Sequence, residues 1–214
     1  MKSLYQGWLS MRFSQATTLG VVTWLAALAI GFGWLSAYKS TPGKAASAEA
    51  HWPAESRLSL HHDKPTLVMF VHPRCPCSRS SLAELRSIVS TLKEALSVEI
   101  VFFQPPNADE SWRNADTWSS ARQIPGASVS CDVDGREAQR FGATTSGHTF
   151  VYAPDGQLLF CGGITAARGQ VGANAGSDAI LSLGKGETCT QTTPVFGCPL
   201  FSNDKLLTQF PSND

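Results

Sequence analysis

Cys75, Pro76 and Cys77 place two sulfurs one residue apart, in a setting that favours a reactive thiolate. The apolar run Thr66-Leu67-Val68-Met69-Phe70-Val71 precedes them and a helix-like stretch starts near Ser78, so the pair sits at a strand-to-helix junction. A helix N-terminus carries unpaired backbone N–H groups and about half a positive charge, which stabilises thiolate over thiol. Arg74 adds a fixed positive charge next to Cys75, acting in the same direction. The thiolate is the form that attacks disulfides and ligates soft metals, so this junction admits redox exchange or metal binding. A disulfide closed across a single residue is a small, strained ring that is easily reduced, which suits an oxidant or isomerase better than a reductant.

The remaining cysteines carry less information in their spacing. Cys131 closes a short apolar strand and Cys161 ends another; each can equally be an ordinary buried cysteine packed as a small hydrophobe. Cys189 and Cys198 are expected to bridge each other in an oxidising compartment, around Thr193-Pro194. His51, His61, His62 and His72 read as solvated or locally bonded, with His72 nearest the thiols. The glycine-rich run from Gly162 to Gly176 lacks the Lys-Ser/Thr ending of a phosphate loop and reads as a mobile connection. Paired carboxylates at catalytic spacing and a Gly-x-Ser-x-Gly elbow are both absent, which removes the hydrolase readings. Seventeen basic and seventeen acidic side chains cancel, with no basic stripe, which argues against a nucleic-acid partner.

Four segments must position these groups. From Phe13 to Tyr38 there is no charged residue, and the apolar run inside that stretch is long enough to cross a bilayer, which takes about 20 residues. Residues 1–38 are therefore expected to be a membrane anchor, with Trp34 and Tyr38 toward one interface. A cleaved signal peptide with Ala48-Glu49-Ala50 as its site is the alternative, but that site lies far beyond the apolar run. The lysines and arginine flanking the run are too balanced to orient it. Residues 39–60 have no sustained period and read as a linker, residues 61–184 as the folded domain, and residues 185–214 as an irregular extension.

Within the domain the periods alternate. A strand over 66–72 is followed by a helix over about 78–96, with Leu82, Leu85, Ile88, Val89 and Leu92 on one face, and a strand over 98–103. This β-α-β order implies a parallel pair with a right-handed crossover. A helix over 110–122, a strand over 127–131 and a short helix over 136–141 closed by Gly142 come next. Two strands, 149–152 and 157–161, flank the turn Pro154-Asp155-Gly156 as a hairpin, and a last helix covers 178–183.

This succession, with cysteine at the end of the first strand, resembles the thioredoxin-like superfamily over residues 61–184: an α/β fold with a central mixed sheet flanked by helices, here behind an N-terminal transmembrane helix. The segment Asp132 to Ala143 leading into Thr149-Phe150-Val151-Tyr152-Ala153-Pro154-Asp155-Gly156 further resembles membrane-tethered proteins of cytochrome maturation, the peroxiredoxin-like group and RedB-type proteins. The resemblance implies an inner-membrane protein whose domain faces the periplasm and exchanges thiols and disulfides with partners of a respiratory or cytochrome-assembly system, with no cofactor required. It makes Cys75 the attacking residue and puts Ser78 where the family's second cysteine stands, leaving Cys77, or less favourably Cys131, to resolve. It also puts His148 where the family has a cis-proline facing the cysteines. On that layout Cys75, Cys77, Cys131, His148 and Cys161 can converge, so the alternative function is metal binding or delivery, of copper, zinc or an iron-sulfur cluster. A third reading is a scaffold without activity that docks partners.

Overall fold

The computed structural model describes residues 15–45, 47–187 and 191–201. The chain forms two compact units that part between Lys39 and Ser40. The first contributes helix α1, Gln15–Ser40. At 1.5 Å per residue it is about 39 Å long, more than the roughly 30 Å hydrocarbon thickness of a bilayer. Its residues from Thr17 on are exposed, including Leu25, Ile30 and Phe32, and Trp34 stacks on Tyr38 with ring centroids 6.3 Å apart. It is one helix long and apolar enough to cross a membrane, near the N-terminus.

The second unit is built on a mixed sheet of strands β1 (Thr66–Val71), β2 (Ser97–Gln104), β3 (Ala127–Val133), β4 (His148–Tyr152), β5 (Leu158–Gly162) and the two-residue β6 (Gln191–Thr192). Their order across the sheet is β3-β2-β1-β4-β5-β6. β1, β2 and β3 run parallel, β4 is antiparallel to β1, and β5 is antiparallel to β4. Central β1 is buried along its whole length, which is why it reads as an unbroken apolar run rather than an alternating one.

The two faces of the sheet are covered differently. Leu67, Met69, Val71, Ile100 and Phe102 face helices α2 (Ser78–Leu92), α3 (Asp116–Arg122) and α5 (Ala175–Gly184). There Trp118 of α3 stacks on Phe102 at 4.2 Å, and Leu82, Leu85, Ile88 and Val89 of α2 are buried as their spacing predicts. Val68, Phe70, Val101, Phe150 and Tyr152 point the other way, toward α4 (Arg136–Arg140) and Phe141. A helix of five residues cannot cover that face alone. Ala48, Trp52, Leu58 and Leu60 complete it from the N-terminal side, and Leu200 and Phe201 from the C-terminal side.

This changes the domain limits read from sequence. Residues 43–60 are not a free tether: Gly43 N donates to Val195 O at 2.7 Å, Trp52 N to Gly156 O at 2.8 Å and Leu158 N to Ala50 O at 2.9 Å. Trp52 sets its ring edge-on against Phe141 and Tyr152. Residues 191–201 are likewise laid on the sheet. Both segments lack periodicity because they pack as extended straps, each contributing a few separate apolar contacts.

Smaller differences concern boundaries. The helix expected over 110–122 is a 3₁₀ turn, Glu110–Trp112, and then α3; the Asp109 side chain accepts from Ser111 N and caps the turn. The long helix after the cysteines stops at Leu92, where Lys93 takes a positive φ of 54°, and a 3₁₀ turn follows. Asp132 caps α4, accepting from Glu137 N at 3.0 Å and Ala138 N at 2.9 Å.

Candidate redox site

The loop from His72 to Cys77 leaves the end of β1 and turns directly into α2. Cys75 N donates to His72 O at 3.0 Å, Ser78 N to Cys75 O at 3.1 Å and Ser80 N to Cys77 O at 3.1 Å, so the chain tightens into the first helical turn with Cys77 as N-cap. Thr117 Oγ1 donates to Pro73 O at 3.0 Å and holds the loop to α3. Cys75 is 2% exposed and Cys77 half-buried.

Burial pushes the Cys75 thiol up, but hydrogen bonds outweigh it and hold the pKa below the ordinary cysteine value. The donors are the side chain and backbone of Cys198 and the side chain and backbone of Ser78. Cys198 N lies 3.4 Å from Cys75 Sγ. Bonds to the charged form favour that form, so these donors shift Cys75 toward the thiolate. Arg74 has another role: its guanidinium lies 4.4 Å from the centre of the Trp112 ring and donates to Ser111 Oγ at 2.9 Å.

Cys77 is pushed up, first by burial and then by the negative charge of Cys75, with Arg168 opposing. Cys198 is pushed up to about 12, by burial first and then by its bond to Cys75 and the charges of Cys75 and Cys77, again with Arg168 opposing. Three sulfurs and a guanidinium therefore share one site, in which Cys75 is the sulfur whose pKa is lowered and Cys77 and Cys198 are those whose pKa is raised.

Cys198 arrives on the C-terminal strap. Ser146 N donates to Cys198 O at 2.8 Å and Leu200 N to Thr144 O at 2.9 Å, and Thr145 and Pro199 form an antiparallel bridge. Gly197 permits the approach, since a Cβ there would come 2.0 Å from Ser146 O. Arg168 Nη1 donates to Gly197 O. Ser146 Oγ accepts from His72 N at 2.8 Å and lies 2.8 Å from Ser78 Oγ, so one hydroxyl joins the loop before the cysteines, the start of α2 and the strap.

The other expected residues are placed elsewhere. His148 is 1% exposed, stacks on Phe150 at 4.8 Å, and sets Nε2 3.5 Å from Cys161 Sγ. Burial lowers its pKa to about 4 and raises that of Cys161 to about 11, so both are neutral near pH 7. The pair borders a cavity of about 500 Å³ lined also by Pro42, Gly43, Thr193 and Val195. Cys131 is on β3, three strand spacings from β4, about 14 Å away. It packs with the α2 side of the sheet, whereas Cys161 belongs to the opposite core, and its thiol bonds to Gln104 Oε1. The convergence of Cys131, His148 and Cys161 on Cys75 and Cys77 does not form. Among the described residues no three His, Cys, Asp or Glu side chains are grouped so as to hold a metal ion, so that donor set does not fit the metal centre.

The Cys189–Cys198 pairing involves Cys189, which lies outside the described residues; Cys198 itself is a free cysteine whose backbone N–H meets Cys75 Sγ. Sequence reasoning missed Cys198, Ser146 and Arg168 as site residues. Nothing in their local spacing marks them, because the fold brings them together from separate loops.

No family model matches the sequence, and no curated protein is similar to it. Solved structures are similar in fold. An uncharacterized conserved protein from Geobacillus kaustophilus aligns over 77% of this chain and 93% of its own, at 16% identity and a TM-score of 0.54. A hypothetical protein from Sinorhizobium meliloti aligns over 75% and 93%, at 20% identity and a TM-score of 0.50. A secreted Mycobacterium tuberculosis disulfide oxidoreductase aligns over 59% and 84%, at 16% identity and a TM-score of 0.41. Parallel β3, β2 and β1 followed by antiparallel β4 and β5, with the cysteines at the β1-to-α2 junction, form the arrangement the sequence resemblance implied. The chain has the thioredoxin-like fold. In this thioredoxin-like domain the Thr145–His148 segment stands beside the cysteine loop, with Gly147 N donating to Phe70 O at 2.8 Å. His148 follows it into β4 and turns to Cys161, so Ser146 is the residue that meets the cysteine loop.

Proposed function

We propose that the domain carries out thiol–disulfide exchange through the Cys-Pro-Cys motif, with Cys75 as the attacking thiol, and that α1 anchors it in the inner membrane with the domain on the periplasmic side. The carrying observation is the buried Cys75 sulfur in the turn that opens α2, with Cys198 N directed at it from 3.4 Å. A thiolate so held attacks one sulfur of a partner disulfide, gives a mixed disulfide and releases the other sulfur as a thiol. Because Cys75 is 2% exposed, attack on a protein disulfide requires the groups around its sulfur to part. The chemistry fits protein thiols or disulfides as partners, and the resemblance to cytochrome-maturation proteins points to a respiratory or cytochrome-assembly system.

The test is iodoacetamide labelling as a function of pH, followed by mass on the Cys77→Ser chain so that only Cys75 is read in its peptide. Labelling of Cys75 is expected to reach half its limiting rate below the ordinary cysteine range of about 8.5. A midpoint in or above that range removes the basis for the proposal. For the anchor, the chain is expected to stay in the membrane pellet after carbonate extraction, at the mass of an unprocessed N-terminus. A shortened, soluble product points instead to a cleaved leader.

A further inference from the structure

The sequence pairs Cys75 with Cys77, and the fold offers Cys75 a second thiol that no spacing announces. Cys198 lies 123 residues further along the chain, yet its N–H reaches Cys75 Sγ at 3.4 Å. The N–Cα bond adds about 1.46 Å, so Cys198 Cα is within about 4.9 Å of Cys75 Sγ. Its segment is held in place by Ser146 N on Cys198 O, Arg168 on Gly197 O and the Thr145–Pro199 bridge. Cys77 is tied differently. Its carbonyl accepts from Ser80 N and Ser81 N, its backbone is already in the helical region at φ −66° and ψ −24°, and Pro76 stiffens the single residue between the two sulfurs. Closing a ring across that residue strains the first turn of α2, whereas a bond to Cys198 joins two separate segments already in contact.

We propose that Cys198 is the resolving thiol of the site, and that the disulfide formed in turnover is Cys75–Cys198. The inference rests on Cys75 being the exchange nucleophile. In the first step the Cys75 thiolate attacks a disulfide oxidant, one sulfur of the oxidant bonds to Cys75, and the other leaves and takes up a proton. In the second step Cys198 gives up its proton to solvent and attacks Cys75 Sγ. The mixed disulfide breaks, and the second thiol of the oxidant leaves and is protonated. Two protein thiols are oxidised by two electrons and one disulfide is reduced to two thiols. Arg168 is a positioning residue here: it fixes Gly197 and places positive charge beside Cys77 and Cys198. Cys77 is the more exposed sulfur of the motif.

The experiment oxidises the full-length chain in detergent with oxidised glutathione and maps it by non-reducing tryptic digestion. Residues 75–79 form one peptide carrying Cys75 and Cys77, and residues 186–205 another carrying Cys189 and Cys198. The expected product in wild type is a cross-link between these two peptides, retained in Cys77→Ser and in Cys189→Ser and lost in Cys198→Ser. In Cys198→Ser the Cys75–glutathione adduct is expected to accumulate, with release of the second glutathione slowed at least about tenfold. Circular dichroism of each variant, and Cys198→Ala beside Cys198→Ser, separate loss of the thiol from loss of folding. A disulfide confined to the 75–79 peptide overturns the inference. So does a cross-link that needs Cys189, or an adduct resolved as fast without Cys198 as with it. If Cys75 forms no adduct in any variant, the exchange reading falls as well; if it forms one that Cys77 resolves, only Cys198 loses its role.

Discussion

Cys75→Ser is expected to reduce thiol–disulfide exchange to the uncatalysed rate while the chain still folds. The activity is expected to fall because, among the described residues, Cys75 is the one sulfur at the site with a pKa held below the ordinary value; Cys77 and Cys198 are both pushed up. Neither can replace it near pH 7, since the thiolate fraction sets the rate. Folding survives because a serine hydroxyl at position 75 can still accept from Cys198 N and Ser78, leaving no donor stranded, and the change is expected to cost less than about 1.5 kcal/mol. The difference also depends on pH. The folded chain holds the Cys75 thiolate better than the unfolded chain does, so wild type gains over the serine variant as pH rises from the folded-state pKa to the ordinary one. It loses that advantage as pH falls through the folded-state value. Insulin reduction or glutathione exchange at pH 7, with urea titration at two pH values, reads both effects. Retained exchange in Cys75→Ser would move the chemistry to another thiol.

Phe141→Ala is expected to cost about 3–5 kcal/mol, a large part of the stability of a domain this size. Phe141 is 0% exposed and its ring meets four others: Trp52 at 5.1 Å, Phe70 at 5.4 Å, Tyr152 at 5.8 Å and Phe150 at 5.9 Å. It is the residue through which the N-terminal strap, β1 and β4 share one core. Its removal leaves a cavity that rigid strand residues cannot close, and it takes from Trp52 one of its two ring partners. Phe141→Leu keeps most of the volume and is expected to cost about 1.5 kcal/mol or less. Urea unfolding measures both; equal midpoints for the alanine and wild-type chains would show that the second face does not depend on this ring.

The parts of the fold legible in the sequence are those in which a period repeats. β1 is six consecutive buried residues, and α2 shows its buried face as Leu82, Leu85, Ile88 and Val89. Gly142, with φ at +69°, ends the α4 segment where a left-handed residue was expected. The straps were not legible, because a segment that docks by single residues such as Trp52 or Leu200 has no repeat to detect. The same applies to the site. Cys75 and Cys77 stand out as near neighbours at a strand end, while Ser146, Arg168 and Cys198 come from three loops that only the folded sheet brings together. The resemblance sets His148 opposite the cysteines, whereas in the fold the residue begins β4 opposite Phe70 and its ring stacks on Phe150 and meets Cys161.

The separation of 123 residues between Cys75 and the Cys198 amide that meets its sulfur has a consequence for biogenesis. Ribosomes add about 5–20 residues per second, so residue 75 is synthesised on the order of ten seconds before residue 198. During that interval the growing polypeptide has strand, helix and proline around the first sulfur but lacks the backbone amide that completes its environment. The finished pocket exists only once residues 191–201 have been made and have folded back beside the end of β1.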